Sequence, residues 1–362
     1  MKITVLMGGA SAERNVSLAS GIRIVLALRS KGHDVIAFDP SRGPISGAEQ
    51  ERLASSAVGT EPPSLEALAA TTGGAFLPAL ERMPELADAD VVFLALHGGQ
   101  GEDGTLQALL DMAHIRYTGS GHLSSALAMD KDLSKILFRA AGVRTPDWLM
   151  APATVEEVER NLGYPVVVKP SKQGSTVGLS VVKKREQLEG AIEEAWRYDD
   201  EVMIEQFIPG RELTVGILGD LALPVGEIKP VHEIYDYECK YTAGMATEEF
   251  PAKLSTAGTR QIQQQALAAF RALKLSGYAR IDFRLSQSDD DGSAGQFYCL
   301  EANTLPGMTE LSLIPQGAAA AGMSFPDLCE AIVKLESQNA FAMRKAQTDA
   351  SRADGNVKAG RT

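Results

Sequence analysis

Two strand-like segments near the C-terminal end, RIDFRL (280–285) and QFYCLEANTLPGMT (296–309), constrain the fold more than any other stretch. They flank SQSDDDGSAG, a Ser/Asp/Gly run with Asp291-Gly292 near its middle, which is the sequence of a hairpin turn. A turn centred there places Asp282 opposite Glu301, and strand alternation puts Arg280, Arg284 and Asn303 on the same face. Two carboxylates and an amide oxygen are hard donors of the kind Mg2+ accepts, with water and phosphate oxygens completing its shell. Acids on the solvent face of an ordinary hairpin would need no ligand. The continuation LEANTLPGMT argues otherwise, since a buried strand running into Asn, Pro and Gly presents its polar end at a rim. Arginines beside the acids suit an anion held through a metal.

At 362 residues the chain exceeds a typical single domain, so two or three domains are expected. Its 47 acidic and 35 basic residues give a net charge of -12, and without a Lys/Arg-rich block in its body nucleic acid is not the expected partner. Cys239, Cys299 and Cys329 are odd in number and widely spaced, which reads as reduced thiols in a cytosolic protein rather than a disulfide framework or a catalytic thiol. The opening MKITVLMGG is too short and too soon followed by glycine and charge for a signal peptide, and no run reaches transmembrane length. A cytoplasmic location without membrane insertion is therefore expected.

The first segment reads strand (Ile3 to Met7), glycine turn, helix (about Val16 to Ser30) and strand (Asp34 to Phe38), a βαβ opening. Residues 41–88 are rich in Ala, Gly, Pro, Ser and Glu, with a weak helical pattern from Ser64 to Ala70, and read as a variable excursion. A buried strand of parallel type, Val91 to Leu96, then ends in His97-Gly98-Gly99. Ligands of open α/β sheets collect at such carboxyl ends, so GGASAER (8–14) and HGGQGEDG (97–104) share one rim. GxGxxG is absent after the first strand, which excludes the dinucleotide fingerprint. Structural turns would account for the glycines, whereas Ser11, Glu13 and Arg14 at the helix start fit a small-molecule site.

The character changes near Met129, where MDKDLSKILFRAAGVRTPDW gives a helix and a Pro-marked exit. GYPVVVKPS is a short strand ending in Lys169, and KQGSTVGLS is a Gly/Ser/Thr loop before a strand from Leu179 to Lys183. That loop can offer N–H groups and hydroxyls to phosphates, but it lacks GxxxxGK[ST] and opens no helix. An ordinary hairpin connection is the simpler reading, weighed against Lys169, which ends an apolar strand and needs a compensating anion. EVMIEQFIPGREL supplies a strand over Glu205 to Ile208, a Pro-Gly turn and a second strand carrying Glu212; strands continue through Leu218 and to Ile228. The stretch from Val231 to Pro251, with YDYECKYTAG, lacks either periodicity and reads as a lid. Helices are expected over Thr256 to Leu273 and Phe325 to Leu335, and a polar, disordered tail after about Ser337.

The ordered set GGASAER, ALHGGQGEDGTLQ, YTGSG, AMDK, VVVKPSKQGSTVG, IEQFIPGRE, YDYECKY, RIDF and EANTLPGMT closely resembles the D-alanine:D-alanine ligase family of the ATP-grasp superfamily. The resemblance spans residues 1 to about 335 apart from the 41–88 excursion. It implies an α/β (α+β overall) chain in which an N-terminal Rossmann-like domain (1–129) precedes two ATP-grasp subdomains with antiparallel sheets (130–208 and 209–338) and a tail (339–362). The implied reaction is ATP-dependent ligation of two D-alanines through an acylphosphate and a tetrahedral intermediate, for peptidoglycan precursors. Mostly positioning and electrostatic stabilisation should drive it.

Carried over by motif, Asp282, Glu301 and Asn303 look like ligands of two Mg2+ ions, which Mn2+ could replace; K+ activation is compatible with the family. Lys131 and Lys169 resemble phosphate-contacting lysines, with Ser175, Thr176 and Val177 in the loop that closes over the phosphates. The resemblance gives adenine to the hinge Glu205, Gln206, Phe207 and Ile208, ribose to Glu212 and the terminal phosphate to Lys240. It gives the first ammonium to Glu13, places His97 near the first carboxyl, and matches Glu13, Ser175 and Tyr241 to a bonded trio. Arg280 and the N–H of Gly307 would stabilise the oxyanion, and Ser312 with Leu313 would receive the second substrate. A homodimer through the first domain is also implied.

Some positions depart from the family pattern. Gln206 replaces an often bulkier residue at a place where only backbone should meet adenine, and Gly99-Gln100 falls where the pattern varies. Glu310-Leu311 stands where some members have Ser-His, close to the second-substrate pocket, while Lys240-Tyr241 is of the dipeptide-forming type. A D-alanine:D-serine or D-alanine:D-lactate ligase is thus the alternative. Another ATP-grasp carboxylate:amine ligase would be expected to lack GGASAER and YDYECKY, and a non-catalytic nucleotide binder to lack a metal ligand or Arg280; all are present.

Overall fold

The computed structural model describes residues 1–11, 13–55, 76–174, 176–232, 234, 239, 244–286, 295–309 and 312–336. The fold is mixed α/β and rests on three sheets. In the first, β1 (Lys2–Leu6), β2 (Asp34–Asp39), β3 (Gly43–Pro44) and β4 (Val91–Leu94) run in the order β3-β2-β1-β4. β1 is parallel to β2 and β4, while β3 is antiparallel to β2 at the edge. All four residues of the apolar run VVFL in β4 are buried although β4 ends the strand order, and Tyr117 bridges in parallel to Val92 on its outer side. Helix Arg14–Ser30 crosses from β1 to β2, and it approaches so closely at Gly21 that a Cβ there would lie 2.4 Å from Met7 Cβ.

The βαβ opening is as the sequence indicates, but the 41–88 segment is more than an excursion. Ile45, Leu53, Leu80 and Leu86 from its described parts are buried in the same core as the sheet, because β3 extends the sheet beside β2 and helix Gly47–Ser55 packs on helix Arg14–Ser30. The pattern at Ser64 to Ala70 lies outside the described residues.

β5 (Trp148–Met150), β6 (Val166–Pro170), β7 (Ser180–Val182) and β8 (Val202–Gln206) form the second sheet, ordered β5-β8-β6-β7 with every pair antiparallel. Helices Val155–Asn161 and Leu188–Ala195 close its separate core, built from Val158, Val166, Val168, Leu188, Ile192 and Ile204. β8 begins and ends earlier than expected: Phe207 and Ile208 lie beyond the strand, since the following Pro209-Gly210 turns the chain toward the third sheet.

That third sheet is ordered β12-β11-β9-β13-β14, with β10 pairing on β9. Its strands are β9 (Gly210–Leu218), β10 (Leu221–Ala222), β11 (Gly226–Pro230), β12 (Ala246–Glu249), β13 (Tyr278–Ser286) and β14 (Phe297–Asn303). β12 corrects the reading of 231–251 as wholly irregular, because ATEE pairs antiparallel with β11. Helix Thr256–Ala272 is capped by Ser255, whose Oγ accepts the Gly258 N–H at 3.0 Å, and it buries Ile262, Ala266, Ala269 and Phe270. Helix Leu313–Ala320 was not foreseen: LIPQGAAA carries Pro315 in its first turn, where proline is tolerated. Residues 325–336 are helical, matching the expected last helix, and the proposed tail lies outside the described residues.

The core of the first sheet takes in the end of the third, running from Ile3 and Phe93 through Tyr278 to Leu305, Met308 and Ile332, while Leu213, Val215, Ile281 and Phe283 of the third sheet form another core with helix Thr256–Ala272. At the crossing of the two sheets Gly277 (φ +68°) lies against Gly119 (φ +96°), and a Cβ on Gly277 would sit 3.0 Å from Gly119 Cα. The Ser276 N–H donates to Ser120 Oγ at 3.2 Å, and Ser276 Oγ to Gly119 O at 3.0 Å.

Candidate active site

The register of β13 on β14 is Arg280 opposite Asn303 and Asp282 opposite Glu301, the pairing that alternation and turn chemistry imply. A bulge follows between Asp282 and Phe283, so that Phe283 pairs with Cys299 and Leu300 joins the lining of the cleft. The turn at Asp291-Gly292 lies outside the described residues. Asp282 accepts from Thr214 Oγ1 (2.7 Å), Arg280 Nε (2.9 Å) and Nη2 (2.8 Å), and Asn303 Nδ2 (2.9 Å). With its nitrogen engaged, Asn303 keeps its carbonyl oxygen as an electron-pair donor beside two carboxylates. Among the described residues no group of three or more His, Cys, Asp or Glu could hold a metal. An ion at Asp282, Glu301 and Asn303 would take the rest of its shell from water and substrate, which is the habit of Mg2+.

Helix Lys131–Ala140 supplies the cations. Asp130 caps it, Oδ1 accepting the Leu133 N–H at 3.0 Å. Lys131 Nζ donates to Gln173 O at 2.8 Å and lies 3.4 Å from Glu301 Oε2. One turn on, the fully buried Lys135 pairs with Glu205 Oε1, while Lys169 Nζ donates to Glu205 Oε2 at 2.8 Å. Lys169 thus finds its compensating anion inside the protein, at Glu205, and the side chain of Glu205 is an ionic anchor as well as part of the hinge. Burial pushes the Glu205 carboxyl up, yet Lys135 and Lys169 together outweigh it and hold the group below its ordinary value. Lys135 escaped the sequence reading. Its i,i+4 spacing from Lys131, on the face that also buries Ser134 and Phe138, was the available signal.

Lys131, Lys169, Thr176, Val177, Glu205, Gln206, Phe207, Ile208, Glu212, Arg280, Asp282, Glu301 and Leu313 all line one cleft between the second and third sheets. Val167, Ile228 and Leu300 form its apolar walls. Arg284 organises its inner end: Nε donates to Ile208 O at 3.1 Å, Nη1 meets Glu212 Oε2 at 3.3 Å, and the guanidinium lies 5.6 Å from the Phe207 ring centroid.

The rim of the first sheet meets the cleft loop at Gly174. Arg14 turns away from it, donating to Gly9 O at 2.6 Å and pairing with the buried Asp39, so its role is to shape the glycine turn. Glu13 points the opposite way. A Cβ on Gly98 would lie 2.7 Å, and one on Gly174 3.1 Å, from Glu13 Oε2, so the two glycines make room for this carboxylate beside the Gly/Ser loop. Ser175, Lys240 and Tyr241 lie outside the described residues, as do Glu310 and Leu311.

Both ring nitrogens of His97 are engaged. Nδ1 donates to Leu305 O at 2.7 Å, Nε2 meets Ser20 Oγ at 3.1 Å, and Ser20 Oγ accepts the Met308 N–H at 3.2 Å. Burial lowers the imidazole's pKa, so it acts as a neutral strut for the Leu305–Met308 backbone. Glu102 of HGGQGEDG, whose role the sequence alone does not signal, fastens the same segment by accepting Gly98 N–H (2.9 Å) and Leu305 N–H (3.2 Å). Ser312 Oγ is held by the Thr309 N–H at 3.0 Å and Thr309 Oγ1 at 2.8 Å. A Cβ on Gly307 would meet that Oγ at 2.8 Å, so a side chain there would push Ser312 out of this bonded position.

Known proteins match this architecture over most of its length. The N-terminal domain model of D-ala D-ala ligase matches residues 2–120, and the C-terminal one residues 132–334. A D-alanine--D-alanine ligase of Geobacter sulfurreducens is 44% identical over 335 residues, covering 92% of this chain and 93% of that protein. Its counterpart from Dechloromonas aromatica is 40% identical, covering 93% and 98%. Among solved structures, a Bacillus anthracis D-alanine--D-alanine ligase complexed with ATP aligns with a TM-score of 0.70 at 30% identity, covering 93% and 97% of the two chains. The VanG D-Ala:D-Ser ligase of Enterococcus faecalis aligns with a TM-score of 0.74 at 29% identity, covering 93% and 99%. No helix among the described residues is long and apolar enough to cross a membrane.

Proposed function

The chain belongs to the D-alanine–D-alanine ligase family, and from that premise we propose how its cleft joins two D-alanines at the expense of ATP. It is an ATP-dependent, ADP-forming ligase whose product serves peptidoglycan synthesis. A carboxylate is a poor electrophile, so ATP first phosphorylates that of one D-alanine. The amine of the other then displaces phosphate through a tetrahedral intermediate, and both steps spread negative charge that fixed cations and N–H groups stabilise.

In this reading adenine lies along Glu205–Ile208, between the apolar walls, and ribose meets Glu212. Lys131, Lys169 and the loop at Ser175, Thr176 and Val177 receive the phosphates, and Lys240 the terminal one. Asp282, Glu301 and Asn303 would hold two Mg2+ ions, which would supply positive charge to offset that of the phosphates. Glu13 takes the first ammonium, while His97 acts near the first carboxyl by fixing the Leu305–Met308 backbone. Arg280 and the Gly307 N–H face the oxyanion, and Ser312 and Leu313 the second substrate; Ser175 and Tyr241 tie the lid to Glu13.

The observation that carries this reading is the convergence, in one cleft, of the Asp282–Glu301 pair, Lys131 and the hinge segment. We divide the chain functionally at 129/130 and 208/209, place it in the cytoplasm, allow Mn2+ and K+ as alternatives or activators, and pair two copies through the first domain.

The test is phosphate release and product mass after incubation with ATP, Mg2+ and a mixture of D-alanine, D-serine and D-lactate. D-alanyl-D-alanine is expected as the main product, and about a 100-fold or greater loss in Glu13→Gln, Arg280→Ala and Asp282→Asn. Near-native rates in all three would sink the site assignment, and no D-alanyl product the activity. A D-alanyl-D-serine product would instead favour the second reading, toward which the likeness to the D-Ala:D-Ser ligase points.

A further inference from the structure

Glu205 is one buried carboxylate with two lysines, one on each oxygen. The two differ in what else they can reach. Lys169 ends β6 and lines the cleft, whereas Lys135 is fully buried and does not. Its Nζ lies 5.0 Å from the Trp148 ring centroid, and Trp148 is the cross-strand neighbour of Glu205. The indole is itself pinned, Nε1 donating to Asp132 Oδ1 at 2.6 Å and Arg139 stacking 4.2 Å from its centroid. Lys135 is thus confined against Glu205 by a fixed roof, while Lys169 has the open side.

A lysine that serves an incoming phosphate must first leave the carboxylate it holds. If Glu205 had Lys169 alone, that exchange would strand a buried negative charge, which is strongly unfavourable. We propose that Lys135 is a positioning residue for the nucleotide: it keeps Glu205 compensated, so that Lys169 can turn from Glu205 to a phosphate oxygen. The proposal rests on the reading of the cleft as the ATP site and adds the charge exchange within it. Lys135 touches no substrate. It acts through Glu205 on Lys169, and the same helix face that brings Lys131 to Glu301 brings it there.

The pH dependence follows the same geometry. Lys135 faces Glu205 from β8, Lys169 from β6 and the Cys299 thiol from β14. Burial, opposed by Glu205, pulls its ammonium down to about 8. Release of Lys169 leaves Lys135 as the sole cation on Glu205 and raises its hold on the proton. Nucleotide binding should therefore be strongest below about pH 8 and weaken as pH rises through it.

The experiment is calorimetric binding of MgATP without D-alanine, together with steady-state rates, for wild type, Lys135→Met, Glu205→Gln and the double variant. Lys135→Met should weaken MgATP by about tenfold or more, appearing in the KM for ATP more than in kcat and leaving the KM for D-alanine alone. In the Glu205→Gln background the same substitution should add no more than about twofold, because no carboxylate remains to be compensated. Unchanged MgATP affinity in a folded Lys135→Met overturns the proposal, and so does an equal penalty in both backgrounds. Should Lys135→Met fail to fold, wild-type affinity between about pH 7 and pH 9.5 decides: weakening above about pH 8 supports the exchange and a flat profile rejects it. A wild type that binds MgATP but forms no D-alanyl product fails the ligase reading alone, since the binding measurements still report on Lys135.

Discussion

Glu102 shows how a residue outside the cleft can govern it. Burial first, and the neighbouring Glu13 second, raise its carboxyl from 4.5 to about 7, against the two N–H groups it accepts. The folded chain therefore keeps a proton that the unfolded chain releases near 4.5, so this group favours the fold below that pH and ceases to as pH climbs to about 7. Glu102→Gln removes the charge and keeps one acceptor. Its melting temperature relative to wild type should rise between about pH 4.5 and pH 7 and level off above that; a constant gap would refute the assignment. Residues like this mark the limit of sequence reading. Asp282 and Glu301 were legible because strand alternation and a turn signal fix which side chains meet. Lys135 and Glu102 were not, since their importance lies in partners 70 and 203 residues away that only the tertiary fold supplies.

At the scale of elements, helix Lys131–Ala140 carries the cleft cation Lys131 and the buried Lys135 on one face, and its start is set by a single side chain, Asp130. Asp130→Ala should cost about 1 kcal/mol in urea unfolding and raise the KM for ATP, because fraying loosens Lys131 first. Thr154→Ala is the comparison: it breaks the Thr154–Glu157 capping box of helix Val155–Asn161, which bears no cleft residue. An equal effect of the two on KM would show that the cap acts through stability alone. The β13–β14 pair was readable because alternation, turn composition and a buried strand all pointed the same way. β12 was hidden because ATEE has a strand's pairing without a strand's composition, and helix Leu313–Ala320 because its proline and glycine read as a loop.

Across the whole molecule, the core of the first sheet reaches into the end of the third, which also packs its own core against helix Thr256–Ala272, while the second sheet has a separate one. The sequence pointed to several domains but not to which of them would fuse, since a shared core depends on how sheets cross rather than on any local pattern. The crossing at Gly119 and Gly277 is the sensitive point. Gly277→Ala places a side chain at a positive φ against backbone and should destabilise the chain by about 1–3 kcal/mol. The loss should appear in the transition that unfolds the first and third sheets, followed by hydrogen exchange of β1 and β13 together. Protection lost in β13 alone would mean that the two sheets unfold independently.

Main chain lying on main chain also limits how this protein can change. A side-chain contact can be trimmed or enlarged by one methylene at a time, but the Gly119–Gly277 contact offers no such intermediate steps. Variation in what the enzyme accepts must then come from side chains that can be altered by degrees, such as Leu313 at the cleft and Thr309 on Ser312. The angle between the two halves that face the substrates stays the same for every such variant.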